Sequence, residues 1–145
     1  MIALTALLLV SLTGGYLVAL GLVALLRPRQ ALSFLLGFAS SARLHYLEIV
    51  NRLLVGLAFI YSADYVFYAA AFTGFGWLLL LTSLPLLLLP WHWHRRFATK
   101  AVSDCRRYLV LIGVSALVLG VAILLAVLKN ISAPAGAPLS FLPAL

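Results

Sequence analysis

Four long apolar runs limit what this chain can fold into more than any other feature. They cover residues 2–26, 44–63, 71–90 and 108–128. Each is about as long as the roughly 20 helical residues that cross a hydrocarbon core of about 30 Å. Of the 145 residues, 66% are hydrophobic and 9% are charged, whereas a soluble domain is about 45–50% apolar and about 25% charged. The sequence therefore predicts an all-α integral membrane protein with four transmembrane helices, which excludes a soluble enzyme and a disordered chain.

The basic residues predict how the chain is oriented. Nine of the ten Lys and Arg residues lie in or near the connections 27–43 and 91–107, and the tenth is Lys129. By the positive-inside rule, both connections then face the cytoplasm and both termini lie outside. The eight Arg against two Lys favour a GC-rich bacterial source, so we expect a multi-pass protein of a bacterial plasma membrane. Because the basic residues flank apolar runs and form no module that binds a nucleic-acid groove, we expect no nucleic-acid partner.

An offset of 62 residues aligns the two halves of the chain. It places Pro28 on Pro90 and Tyr46 on Tyr108. Each half then contains a helix, a proline, a connecting segment and a returning helix. Such an alignment is typical of a parallel internal repeat. Two unrelated leucine-rich hairpins also align by chance, and the residues alone leave both explanations open.

We therefore expect one transmembrane domain over residues 1–129, built as two same-direction hairpins, 1–63 and 64–129. The best turn signal between the second and third helices is the glycine-containing segment 73–76. Residues 130–145 are expected to form an outward-facing tail. This tail is too apolar for a free linker and too rich in proline for a helix.

Both long connections have the pattern of amphipathic helices. At 100° per residue, a helix over 28–44 gathers its apolar residues on one face, and in 91–107 basic and aromatic residues separate into opposite sectors. We expect each hairpin to carry a cytoplasmic amphipathic interfacial helix, the second of which binds anionic phospholipid headgroups. A solvated loop that only sets topology is the alternative. The headgroup candidates are Arg95, Arg96, Lys100, Arg106 and Arg107.

Four residues near the start of the second span form a polar cluster: His45, Glu48, Asn51 and Arg52. On a helix they share a sector of about 120°, and Glu48 precedes Arg52 by the four residues that suit an ion pair. The polar cluster is either a structural anchor, a binding face for a headgroup, quinone or partner, or a proton- or substrate-coupling site. We expect this face to point into the protein or toward a partner, with Arg52 neutralising Glu48.

The histidines do not predict a metal site. On a helix, His92 and His94 point about 200° apart, and no Cys or acidic residue adjoins them to complete a set of three or four ligands. Haem or a chlorophyll-type pigment needs only one axial histidine and no converging set of ligands. His45 and His94 are the candidates for that histidine. The sequence requires no cofactor.

Small residues predict where helices approach closely. Gly113, Ala116 and Gly120 form one stripe of the fourth span, and Gly15 and Ala19 form a small-xxx-small pair in the first. Such residues let transmembrane backbones come together where lipid provides no hydrophobic drive. We expect these helix-packing contacts within the chain. A stripe of small residues that no helix of the chain covers would be available to a partner.

The polar residues lack the combinations that catalysis needs. The sequence offers no convincing nucleophile–base pair and no metal-ligand set. It therefore predicts a non-enzymatic accessory or scaffolding subunit of a larger membrane complex, which packs against other integral membrane subunits and anionic phospholipids. The alternative is a small four-helix transporter or channel that uses the Glu48 face.

Overall fold

The structure, a computed structural model, describes residues 2–38, 40–66, 68–93, 95–97, 100 and 108–132. Three of the predicted site residues, His94, Arg106 and Arg107, lie outside the described residues, as does most of the predicted tail.

All regular elements in the described part of the chain are helices. They are α1 (Ile2–Leu26), α2 (Pro28–Phe38), α3 (Ala42–Ser62) with a following 3-10 turn (Ala63–Tyr65), α4 (Ala69–Leu88) and α5 (Leu109–Ser132). Four of these helices, α1, α3, α4 and α5, are long and apolar enough to cross a membrane. The prediction of an all-α chain with four such helices is confirmed.

The first connection is not one continuous helix over 28–44, as the pattern predicted. Helix α2 ends at Phe38, and α3 begins at Ala42. Ser41 has an extended backbone, and its Oγ accepts a hydrogen bond from the Leu44 amide at 3.3 Å. Serine is a favoured N-cap because its side chain satisfies an amide in the first turn that has no partner within the helix. A new helix therefore starts here.

The predicted turn over 73–76 is also wrong. The chain leaves α3 through the 3-10 turn and enters α4 at Ala69, so the segment 73–76 lies inside α4. Gly76 instead lies against α3, where a Cβ at this position would stand 2.7 Å from the Gly56 carbonyl oxygen. The glycine permits close helix approach rather than a reversal of the chain.

The helices pack mainly as two antiparallel pairs, α1 with α5 and α3 with α4, and α1 also contacts α3. Glycines form the α1–α5 contact: Gly14 lies against Gly120, and Gly21 lies against Gly113. A Cβ added at Gly21 would stand 2.7 Å from the Gly113 carbonyl oxygen. The two backbones are therefore in direct contact at positions seven residues apart on each helix.

This contact corrects part of the predicted helix packing. Gly113 and Gly120 lie in it, and Ala116 is half-buried, but Gly15 and Ala19 are exposed and a Cβ at Gly15 would meet only open space. The i, i+4 spacing in α1 selected a face beside the true contact. Residues seven apart lie on the same side of a helix, so Gly14 and Gly21 both face the antiparallel helix α5.

The apolar core lies where the two helix pairs meet. It contains Val10 of α1, Phe59 of α3, Phe72 of α4 and Ile123 of α5. The Phe59 ring packs against the rings of Phe72 and Phe75, with centroids 5.3 Å and 4.9 Å apart. The core joins the pairs and fixes the position of α3, which carries the polar cluster.

Helix α2 covers one end of the α1–α5 pair. Its Ala31 is fully buried and clusters with Ala24 of α1 and Leu109 of α5. Pro28 occupies the first helical position, where the missing N–H is not needed. The first connection is thus packed onto the helix bundle.

Candidate functional site

Arg52 contacts three side chains, one on its own helix α3 and two on α4. Its Nη1 lies 3.6 Å from Glu48 Oε1. Its Nε donates to Ser83 Oγ at 3.3 Å, and its Nη2 donates to Thr82 Oγ1 at 3.1 Å. The planar guanidinium presents its donors as a fixed fork, so one side chain can contact several acceptors at once. We call these four residues the arginine network.

The two hydroxyl groups are oriented by their own helix. Thr82 Oγ1 donates to the Leu78 carbonyl oxygen and Ser83 Oγ donates to the Leu79 carbonyl oxygen, both at 2.6 Å. A hydroxyl group has one donor and two acceptor lone pairs. Because the donor is used within α4, the lone pairs are available to Arg52. Ser83 is completely buried, so its oxygen is a fixed acceptor.

The arginine network lies within the apolar length of the spans. Arg52 is ten residues after Ala42, or about 15 Å along the helix axis, and Ser83 is five residues before Leu88, or about 7.5 Å. Helical side chains tilt toward the N-terminus of their helix, so the Arg52 head group reaches back toward Glu48. An ion pair at this depth needs compensation from within the protein.

The structure divides the predicted polar cluster into three environments. Glu48 and Arg52 form the ion pair, with side chains 25% and 31% exposed. His45 is buried, 1% exposed, and its ring packs edge-on against Tyr46 with centroids 5.1 Å apart. Asn51 is exposed. The cluster therefore has an inward part formed by His45, Glu48 and Arg52, and Asn51 lies apart from it.

Sequence reasoning missed Thr82 and Ser83. They are two adjacent hydroxyl residues in a leucine-rich helix, two residues before Pro85. Polar side chains within a span usually face the protein interior, so this pair could have been matched to the charges of α3. Pro85 lies inside α4 and lacks the N–H of an ordinary helical residue, but the two hydroxyl groups donate to the Leu78 and Leu79 carbonyl oxygens one turn earlier.

The second connection presents basic and aromatic residues at the end of α4. Arg95, Arg96 and Lys100 are exposed and helical, and the Arg95 guanidinium carbon lies 6.0 Å from the centroid of the Trp91 ring. This distance is at the limit of a cation–π contact. Among the described residues, no group of three His, Cys, Asp or Glu side chains could hold a metal ion.

Replacing Ser83 by alanine is expected to lower the free energy of unfolding by about 1 kcal/mol, because Arg52 loses one buried acceptor. Ser11→Ala is the matched control. Ser11 Oγ also donates to a carbonyl one turn earlier, that of Leu7 at 2.7 Å, but it contacts no charged side chain in the described part of the protein. Thermal unfolding in detergent measures both variants. Equal losses would show that the Arg52 contact contributes nothing to stability.

No family model, curated protein or solved structure matches this chain.

Proposed function

We propose that this chain is a non-enzymatic accessory subunit of a larger membrane complex. It packs against helices of other integral membrane proteins, and its connections bind anionic phospholipids. The observation that carries this proposal is how little of each helix is covered. In the most apolar stretch of each span, only 17% to 33% of the residues are buried within the chain. Most of the helix surface is therefore free for lipid and for partner helices.

The exposed face of α1 is the surface that we assign to a partner. Gly15 and Ala19 lie one turn apart on it, and both are exposed. Small residues at this spacing let another helix approach closely. Residues 2–26 include no Asp, Glu, Lys or Arg, so this face of α1 needs no charged partner.

We also propose the finer architecture: two same-direction hairpins in one domain, with an outward-facing tail. The packing supports it. Under the 62-residue offset, α1 would be equivalent to α4 and α3 to α5, and the α1–α5 and α4–α3 contacts would then be equivalent to each other. The offset also places Gly14 on Gly76, and both glycines lie in those contacts. An approximate twofold axis normal to the membrane would produce this arrangement.

The connections give the proposed orientation in a bacterial plasma membrane. Helix α2 and the basic segment after α4 would lie as amphipathic helices at the cytoplasmic interface, where exposed Arg and Lys side chains attract anionic headgroups. The exposed Arg95, Arg96 and Lys100 support this proposal.

Cysteine labelling tests the orientation. The single cysteine, Cys105, is first replaced by alanine. Tyr68→Cys is then expected to react with a membrane-impermeant maleimide in intact cells, because Tyr68 precedes α4 at the proposed outer end. Ser40→Cys, between α2 and α3, is expected to react only after permeabilisation. Both positions are exposed, so a difference in labelling reports the side of the membrane on which each residue lies. The reverse pattern would contradict both termini lying outside.

Purification in mild detergent tests the proposed function. The tagged chain is expected to co-purify with larger integral membrane proteins, and Ala19→Trp is expected to release them because the bulky ring blocks close helix approach. Ala70→Trp, at an exposed position of α4, is the matched control and should retain the partners. Recovery of the parent chain only as a free monomer would contradict the proposal.

The second proposal is a small transporter or channel that uses the Glu48 face. The observation that favours it is an ionisable carboxylate within a span, 25% exposed beside Arg52, since such residues mark transport pathways in many membrane proteins. Flux in proteoliposomes that contain only this chain, abolished by Glu48→Gln, would support this proposal. Absence of flux from the parent chain would exclude it.

A further inference from the structure

An apolar groove of about 450 Å³ lies between α4 and α5, at the end of the bundle opposite the basic connections. Its floor contains the aromatic rings of Phe59, Phe72 and Phe75, and Tyr68 and Lys129 lie at its rim. The other lining residues are aliphatic: Ala71, Leu119, Ala122, Ile123, Leu125 and Ala126. The groove is therefore apolar along its length, with one cation at one end.

The groove occupies the place of a missing helix contact. Under the 62-residue offset, the pair α4–α5 is equivalent to the pair α1–α3. Helix α1 packs against α3, but the described parts of α4 and α5 make no comparable contact. The gap between α4 and α5 thus departs from the proposed twofold arrangement, and it is floored by the buried rings of Phe59 and Phe72 and the half-buried ring of Phe75.

We propose that this groove holds an acyl chain of an anionic phospholipid, whose phosphate contacts Lys129. Lys129 ends the α5 span and is exposed, so its ammonium group can reach headgroup level. An ammonium is a compact charge that suits a phosphate oxygen. Charge and apolar lining together match the two parts of one lipid molecule.

A flexible chain fits this groove better than a partner helix does. Transmembrane helices approach one another through small residues. Three alanines line the groove, but phenylalanine, leucine and isoleucine side chains form six of its eleven lining residues and make its surface irregular. A lipid tail can follow such an irregular surface. This site goes beyond the proposed function, which assigns anionic lipid to the connections at the opposite end of the bundle.

Fluorescence quenching by brominated lipids tests the site. The chain carries Phe75→Trp as a reporter in the groove, with Trp77, Trp91 and Trp93 replaced by phenylalanine. It is reconstituted in dioleoyl phosphatidylcholine vesicles containing a minor fraction of phosphatidylglycerol or phosphatidylcholine with brominated chains. The brominated phosphatidylglycerol is expected to associate with the reporter about fivefold more strongly than the brominated phosphatidylcholine, as one lysine near an anionic group would give.

Three variants separate the groove from the rest of the molecule. Lys129→Ala is expected to remove the preference for phosphatidylglycerol, whereas Lys100→Ala, at an exposed cation of the opposite end, retains it. Ala122→Phe fills the groove and reduces quenching by both lipids. In a chain that keeps native Trp77 as its only tryptophan, any headgroup preference should not depend on Lys129, because Trp77 does not line the groove.

Equal quenching by the two headgroups in the parent reporter protein would overturn the proposal, as would an unchanged preference in Lys129→Ala. A reporter tryptophan that neither brominated lipid quenches would also overturn the proposal. It would indicate that a protein occupies the groove, either a partner helix or a second copy of the chain. Leu119→Trp on the facing wall is the second reporter if Phe75→Trp does not fold. Loss of partners from Ala19→Trp with lipid preference intact would separate this site from the proposed function.

Discussion

Gly21→Ala is expected to lower the free energy of unfolding by about 1–3 kcal/mol, the usual cost of inserting an atom into a packed contact. The new Cβ would stand 2.7 Å from the Gly113 carbonyl oxygen and 2.9 Å from the Leu117 amide nitrogen. Both are backbone atoms of α5 and cannot rotate away, so the two helices must separate. Thermal or denaturant unfolding of the purified chain in detergent measures the effect.

Gly15→Ala is the matched control, since the two glycines lie on the same helix and differ only in surroundings. A Cβ at Gly15 meets no atom within 4 Å. Alanine favours a helix over glycine by about 0.5–1 kcal/mol, so this variant is expected to be as stable as the parent or slightly more stable. Equal destabilisation at the two positions would contradict the glycine contact between α1 and α5.

The four spans could be predicted from the sequence because length and apolarity are local properties. Helix α1 has the predicted bounds, and the predicted second span, 44–63, begins within two residues of Ala42. The pairing of the helices could not be predicted in the same way. Apolar residues occupy both the buried and the exposed faces of a membrane helix, so periodicity does not show which face meets which neighbour.

Glycine can form a turn or permit close helix packing, and the sequence could not distinguish these two roles. The segment 73–76 carries the same residues that a turn would use, yet Gly76 lies in a helix contact with Gly56. Similarly, Gly14 and Gly15 are adjacent in the sequence, and only Gly14 faces α5. The partner backbone decides between these roles, and it is distant in the sequence.

The candidate site was predictable where its contacts are local. The Glu48–Arg52 pair follows from the i, i+4 spacing. The contacts of Arg52 with Thr82 and Ser83 join residues about thirty positions apart, so no local spacing indicates them. The 120° sector assigned to the polar cluster was also wider than the face that α3 presents inward, and Asn51 at its edge is exposed.

Arg52→Ala is expected to be the most damaging change in the arginine network, with a loss of up to about 3–5 kcal/mol, as for a buried pair that loses one partner. Removal of the guanidinium leaves the Glu48 carboxylate within the span without its cation, and Thr82 and Ser83 lose their shared donor. Folded yield from membranes and the thermal midpoint in detergent measure the loss.

Glu48→Ala is expected to be less damaging than Arg52→Ala. In this variant Arg52 keeps its contacts with Thr82 Oγ1 at 3.1 Å and Ser83 Oγ at 3.3 Å, so its charge still has hydrogen-bond acceptors. Arg52→Lys is expected to lie between the two alanine variants, because an ammonium keeps the charge but lacks the fork that reaches several acceptors. This order distinguishes a network centred on arginine from a simple ion pair.

The double variant Glu48→Ala with Arg52→Ala separates lost attraction from uncompensated charge. If the damage in Arg52→Ala comes from a stranded carboxylate, removing Glu48 as well restores part of the folded yield, although Thr82 and Ser83 still lack their donor. A double-mutant cycle then gives a coupling energy between the two residues. If both single variants unfold like the parent, the pair is exposed to water, where such a pair contributes about 0–1 kcal/mol. The arginine network would then be an anchor at the membrane surface rather than a link between α3 and α4 inside it.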